Sequence, residues 1–142
     1  MAQSVGGRID SGFAPVFDVE LQPAIAARQA RFMVHDALVD QVSGPFLSDA
    51  VLATSELVTN AEQYAPGAIR LTMHRQPGSR RIRIGVADTS PELPLQDRTG
   101  AMLDPSSGRG LRIVDMIASE WGVTPVERGK QVWFEMVRGH HS

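Results

Sequence analysis

Glu56 and Asn60 are the first residues of this chain whose types and spacing suggest chemistry. Four positions apart on a helix, they project side by side. A carboxylate and an amide oxygen are hard oxygen groups of the kind a Mg²⁺–phosphate site uses. Taken alone, the pair reads more readily as a solvated helix face. Asp88 is the second candidate. It ends an apolar strand, where a carboxylate can accept a hydrogen bond from an exocyclic amine such as that of adenine. The run Asp88-Thr89-Ser90-Pro91 is also good turn chemistry in its own right. The third candidate is Gly108-Arg109-Gly110-Leu111, read as a helix start after a long loop. Free N–H groups at a helix start attract phosphate oxygens. Glycine allows close approach, and Arg109 can add a charge-assisted contact. A lone Gly-x-Gly also fits an ordinary loop-to-helix junction.

The elements that must position these residues follow from periodicity and turn residues. Residues 1–12 are polar, contain three glycines and read as a flexible lead-in. Phe13 to Val19 is expected as a strand, with Pro15 placing it at a sheet edge. Pro23 suits a first helical turn, and Ala24 to Val39 repeats apolar residues at helical spacing. A second helix is expected at about Phe46 to Tyr64. At about 100° per residue, Leu47, Val51, Thr54, Leu57, Val58, Ala61 and Ala65 fall on one side, and Glu56, Asn60 and Gln63 on the other. Strands follow at Ala68 to His74 and Arg81 to Ala87, around the turn Pro77-Gly78-Ser79. Arg80, Arg81 and Arg83 read as a solvated strand face, with an acidic partner as a lesser alternative. Thr89 to Ser107 holds three prolines and is read as a lid. A third helix is expected from Leu111 to Glu120. The last hairpin starts at Trp121, turns at Glu127-Arg128-Gly129-Lys130 and returns along Gln131 to Val137. Trp121, Trp133, Met33, Met73, Met116 and Met136 read as packing residues. His140 and His141 read as a solvated tail.

Strands joined by hairpins, with helices grouped between them, imply an α/β chain of the α+β two-layer type. The sheet is expected to be mixed, mostly antiparallel and covered by helices on one face. At 142 residues the chain fits one domain, expected over residues 13–138, with 139–142 as a tail. Without cysteine it has no disulfide, thiolate chemistry or cysteine-ligated zinc. A net charge of -2 gives no support for binding nucleic acid or an anionic membrane. No apolar run approaches the ~20 residues needed to span a bilayer. The first residues lack a basic segment followed by an apolar run, so no signal peptide is expected. A cytoplasmic location is the resulting expectation.

The order of helix Glu-x-x-x-Asn, strand-end Asp, long loop and glycine-headed helix resembles the GHKL ATPase superfamily. It is more closely similar to the small bacterial anti-sigma factor serine/threonine kinases, stand-alone relatives of the histidine-kinase ATP-binding domain. The matching segments are Ser55-Glu56-Leu57-Val58-Thr59-Asn60-Ala61, Val86-Ala87-Asp88-Thr89-Ser90-Pro91, Gly108-Arg109-Gly110-Leu111-Arg112-Ile113-Val114 and Gly129-Lys130-Gln131-Val132-Trp133-Phe134-Glu135 with Trp121-Gly122-Val123. The resemblance implies a Bergerat-type ATP-binding fold with ATP and Mg²⁺ as cofactors. It implies Asn60 as the Mg²⁺ ligand, Glu56 as general base toward a protein serine or as the residue that positions a water, and Asp88 as reader of the adenine amine. Gly108, Arg109, Gly110 and Leu111 would hold the phosphates. It further implies a STAS-type anti-sigma-factor antagonist as substrate, a sigma factor as the sequestered partner, and the homodimers that relatives often form. The chain departs from the family pattern at Thr89-Ser90-Pro91, where glycines usually follow the aspartate, and at Gln63-Tyr64, where a histidine is frequent. It departs again at Gln131, where a threonine commonly assists on the adenine side. These departures keep open a nucleotide-dependent protein-binding module that is catalytically weak or inactive, and a pure interaction domain that has lost its ligand.

Overall fold

Alternation gives each inner strand one face for the helices and one for solvent. In β3 (Arg81–Asp88) the helix-side residues Ile82, Ile84 and Val86 are buried. In β5 (Gly129–Val137) they are Val132, Phe134 and Met136, and in β2 (Arg70–Arg75) Leu71 and Met73. The computed structural model describes residues 12–64, 67–90 and 105–137. Within these, β1 (Ala14–Glu20) and β4 (Glu120–Val126) complete a five-stranded sheet in the order β1-β2-β3-β5-β4.

Every neighbouring pair is antiparallel, in keeping with the mostly antiparallel sheet expected. Two hairpins supply four of the strands. The chain leaving β3 re-enters the sheet one place beyond its neighbour, at β4, so the hairpin mate β5 folds back antiparallel to β3. β1 is an edge strand, in keeping with Pro15, and its register shifts between Pro15 and Phe17.

A short 3-10 turn at Pro23–Ile25 leads into α1 (Ala26–Leu38). The long helix α2 (Gly44–Tyr64) begins two residues before the expected Phe46. The Ser43 hydroxyl accepts a hydrogen bond from the Phe46 N–H at 3.2 Å, an N-terminal cap. α2 packs against α1 and against α3 (Pro105–Ile117), and it lies over β3. Its buried face is Ala50, Ala53, Thr54, Leu57, Val58 and Ala61. The expected stripe omitted Ala50 and Ala53, whose small side chains give a weak periodic signal yet let helices approach closely. Thr54 satisfies its buried hydroxyl by donating to the Ala50 carbonyl at 2.8 Å.

Two packing expectations need correction. Met116 is 83% exposed, because it falls on the solvent side of α3. Trp133 lies on the helix-free face of the sheet and donates through Nε1 to the Thr124 hydroxyl at 3.1 Å. Trp121, Met33, Met73 and Met136 do pack in or against the core. Among the described residues, no helix is long and apolar enough to cross a membrane. The tail histidines and most of the expected lid lie outside the described residues.

Candidate functional site

The buried face of α2 fixes what the helix presents elsewhere. With Leu57, Val58 and Ala61 anchored in the core, Glu56 and Asn60 stand one turn apart on its partly exposed side. Among the described residues, neither side chain is engaged by a hydrogen bond or ion pair. Beside them, Arg31 of α1 donates to the Ser55 hydroxyl at 3.1 Å and pins the two helices together.

Asp88 is the last residue of β3 and is only 7% exposed. It falls on the helix-side face, in step with Ile82, Ile84 and Val86. Directly opposite in β5 stands Lys130, the chain's single lysine. Its Nζ donates to Oδ1 at 3.1 Å and to Oδ2 at 3.0 Å, and lies 3.5 Å from the Ser90 carbonyl. The Ser90 N–H donates to Oδ1 at 2.9 Å. This closes the local turn expected from Asp-Thr-Ser-Pro while the other carboxylate oxygen keeps only its lysine. Gly129 makes the approach feasible, since a Cβ there would lie 1.9 Å from the Asp88 carbonyl oxygen.

The sequence reading did not find Lys130. The signal available was strand alternation. Because successive residues face opposite ways, Gln131 cannot share a face with Asp88 and Lys130. The Gln131 amide instead crosses Gly85 on the helix-free face, within 2.7 Å of where a Cβ would stand.

The glycine pair sits differently from the expectation. α3 begins at Pro105, a residue suited to the first helical position, so Gly108, Arg109 and Gly110 lie inside the helix rather than opening it. Residues 105–107 therefore belong to the helix and not to the lid. α3 also ends at Ile117 rather than Glu120, because the Ser119 N–H turns to the Glu135 carbonyl at 2.9 Å. Leu111 is a core residue, 2% exposed, so its side chain faces the protein interior.

The arginine face is not simply solvated. Arg81 and Arg83 both bind the buried carboxylate of Glu135. The Arg83 guanidinium also lies 4.3 Å from the Trp133 ring centroid and 5.3 Å from that of Phe13. Opposite Arg83 in β2, burial holds the His74 imidazole below its ordinary value of 6.5, with Arg83 adding to the effect and Asp18 opposing it.

Among the described residues, no three His, Cys, Asp or Glu side chains cluster to hold a metal. Mg²⁺ suits such a place when it arrives with substrate phosphates, keeps several waters and takes one or two protein ligands. The free side chains of Asn60 and Glu56 fit that limited role.

A family model described as the histidine kinase-like ATPase domain matches residues 19–136 of this chain. No curated protein gives a significant match. Among solved structures, the chain is similar to the crystal structure of the RsbU and RsbW domains of Rv1364c from Mycobacterium tuberculosis, with a TM-score of 0.65 at 20% identity. That alignment covers 88% of this chain and 32% of the other, so the chain spans about a third of that protein's length. At this identity the likeness concerns the fold.

Proposed function

Because this chain belongs to the histidine kinase-like ATPase domain family, we propose that it is an ATP-binding regulatory serine kinase of the anti-sigma factor type. It would transfer a phosphoryl group to a serine of a STAS-type anti-sigma-factor antagonist and sequester a sigma factor. The observation that carries this reading is the pair of unengaged side chains on α2, Glu56 and Asn60, beside a sheet whose strand-end carboxylate Asp88 faces the same layer.

The roles follow from chemistry. Bound Mg²⁺ supplies charge neutralisation on the transferring phosphates. Asn60 offers its amide oxygen to that ion, at a fixed place on a helix anchored by Leu57 and Val58. Glu56, one turn earlier, would take the proton of an attacking serine hydroxyl. Asp88 accepts from the adenine amine. Gly108 and Gly110 lack Cβ atoms, so they allow phosphate to come close to the first turns of α3, with Arg109 adding charge. Leu111 contributes by anchoring that helix in the core.

Incubation with radiolabelled ATP and candidate antagonists tests the reading. Label should pass to a serine of one antagonist, and Asn60→Ala should abolish the transfer. No transfer to any candidate, with Asn60→Ala indistinguishable from wild type, discards the kinase activity. A second reading, nucleotide-dependent partner binding without transfer, is favoured by Gln131 lying on the face away from Asp88. Calorimetry showing Mg-ATP binding with neither transfer nor turnover would select it.

A further inference from the structure

We propose that Lys130 is a positioning residue for base selection: it fixes the orientation of the Asp88 carboxylate and thereby makes the site prefer 6-amino over 6-oxo purines. The inference rests on the ATP-binding reading and extends it to a residue that does not itself touch the base.

The lone-pair count carries the argument. An ionised carboxylate has two oxygens and about four acceptor sites. Oδ1 accepts from Lys130 Nζ at 3.1 Å and from the Ser90 N–H at 2.9 Å. Among the described residues, Oδ2 accepts only from Lys130 Nζ, at 3.0 Å. One acceptor site on Oδ2 is therefore left for an incoming donor. The ammonium has three donors and no acceptor. Two go to Asp88, and the third lies nearest the Ser90 carbonyl. Lys130 is thus spent on orienting Asp88 and has nothing left for a ligand.

Lys130 is 9% exposed and Asp88 7%, so the pair is largely shielded from water. Held by the ammonium on both oxygens, the Asp88 carboxylate is fixed in orientation, and a carboxylate can only accept. Where Oδ2 meets the 6-substituent of the base, such a group takes the amine of adenine and repels the O6 of hypoxanthine, itself an acceptor. Without the lysine, the carboxylate is free to turn about its Cβ–Cγ bond, so it neither aims a lone pair at the amine nor holds one against O6. The discrimination would go with the orientation.

The experiment is calorimetric binding of Mg-ATP and Mg-ITP to the full chain, in wild type, Lys130→Met and Lys130→Arg. Wild type should favour ATP by about tenfold or more, the worth of one hydrogen bond to a charged group. Lys130→Met should bring the ratio close to one, through weaker ATP and stronger ITP binding, and Lys130→Arg should restore the preference. A purely structural role would weaken both nucleotides by the same factor, and an unchanged ratio in Lys130→Met overturns the proposal. If circular dichroism shows Lys130→Met unfolded, the charge-free pair Asp88→Asn with Lys130→Met replaces it. An amide both donates and accepts, so a ratio near one is again expected, and a preserved preference for ATP overturns the proposal. Wild type binding both nucleotides equally overturns this inference alone. Wild type binding neither removes the ATP-binding reading and this inference with it.

Discussion

Arg83 and Glu135 stand directly opposite one another on β3 and β5, on the face of the sheet that none of the described helices covers. Arg83 Nε donates to Glu135 Oε2 at 2.8 Å, and Arg81 Nη1 donates to Oε1 at 2.9 Å. The carboxylate is 4% exposed. Truncating it would leave two guanidinium groups facing each other without a counter-charge. Glu135→Ala should therefore cost about 3 kcal/mol of stability, read from the denaturant midpoint at unchanged m-value. Stabilisation by Mg-ATP should be unaffected, since Asp88 and α2 lie on the other side of the sheet.

His74 makes stability depend on pH in a defined direction. Its folded-state value is lowered by burial first and by Arg83 second. Between the folded value and the ordinary 6.5, the unfolded chain binds the proton more readily, so stability rises with pH there. The His74 contribution is complete above 6.5 and is lost as pH falls through the folded value. Urea titrations from pH 7.5 downward should show this slope, and His74→Gln should flatten it.

Two glycines on neighbouring strands should respond unequally to alanine. A Cβ at Gly129 meets backbone, 1.9 Å from the Asp88 carbonyl oxygen and 2.7 Å from Thr89 Cα. A Cβ at Gly85 meets the Gln131 amide at 2.7 Å and the Thr72 hydroxyl at 2.9 Å, both side chains. Overpacking against backbone forces the strands apart, so Gly129→Ala should cost about 3 kcal/mol. Gly85→Ala should cost roughly 1 kcal/mol, because the Gln131 side chain can swing aside. Thermal melts of the two variants check the order.

Glu56 and Asn60 separate binding from transfer. Wild type at ~100 times its dissociation constant for Mg-ATP should gain roughly 2.7 kcal/mol of stability. Asn60→Ala should lose most of that gain. Glu56→Gln should keep it, while phosphotransfer to an antagonist falls by about 10² to 10⁴. Parallel melting curves and transfer assays distinguish the two losses. Equal loss of stabilisation in both variants would contradict separate roles.

Most of the layer arrangement was legible in the sequence. Ile82, Ile84 and Val86, or Val132, Phe134 and Met136, alternate so cleanly that only one face can be the core. Glu56 and Asn60 were legible for a similar reason, since helical spacing alone sets them opposite Leu57 and Ala61. Three features were not. The glycines at 108 and 110 looked like a helix start because glycine is a poor helix former, yet Pro105 begins the helix. The partners of Arg81 and Arg83 stayed hidden because Glu135 lies more than fifty residues away. Lys130 was concealed in a turn motif, although it faces Asp88 once β3 and β5 pair. Local pattern reports which way a side chain points. Which strand lies beside which depends on contacts distant in sequence.

The pairing of β3 with β5 has a consequence for folding. No tight turn joins these strands, since α3 and β4 intervene, so no loop dictates their alignment. Apolar alternation penalises a slip by one residue but is nearly blind to a slip by two. Asp88–Lys130 clasps one face of the strand pair, and Arg83–Glu135 clasps the other. A two-residue slip that set Asp88 against Val132 and Gly85 against Glu135 would keep every apolar residue inside and still draw both carboxylates away from the cations that stand directly opposite them. The two couples thus guard the central alignment of the sheet against a slip in that direction, a task the hydrophobic pattern alone leaves unfinished.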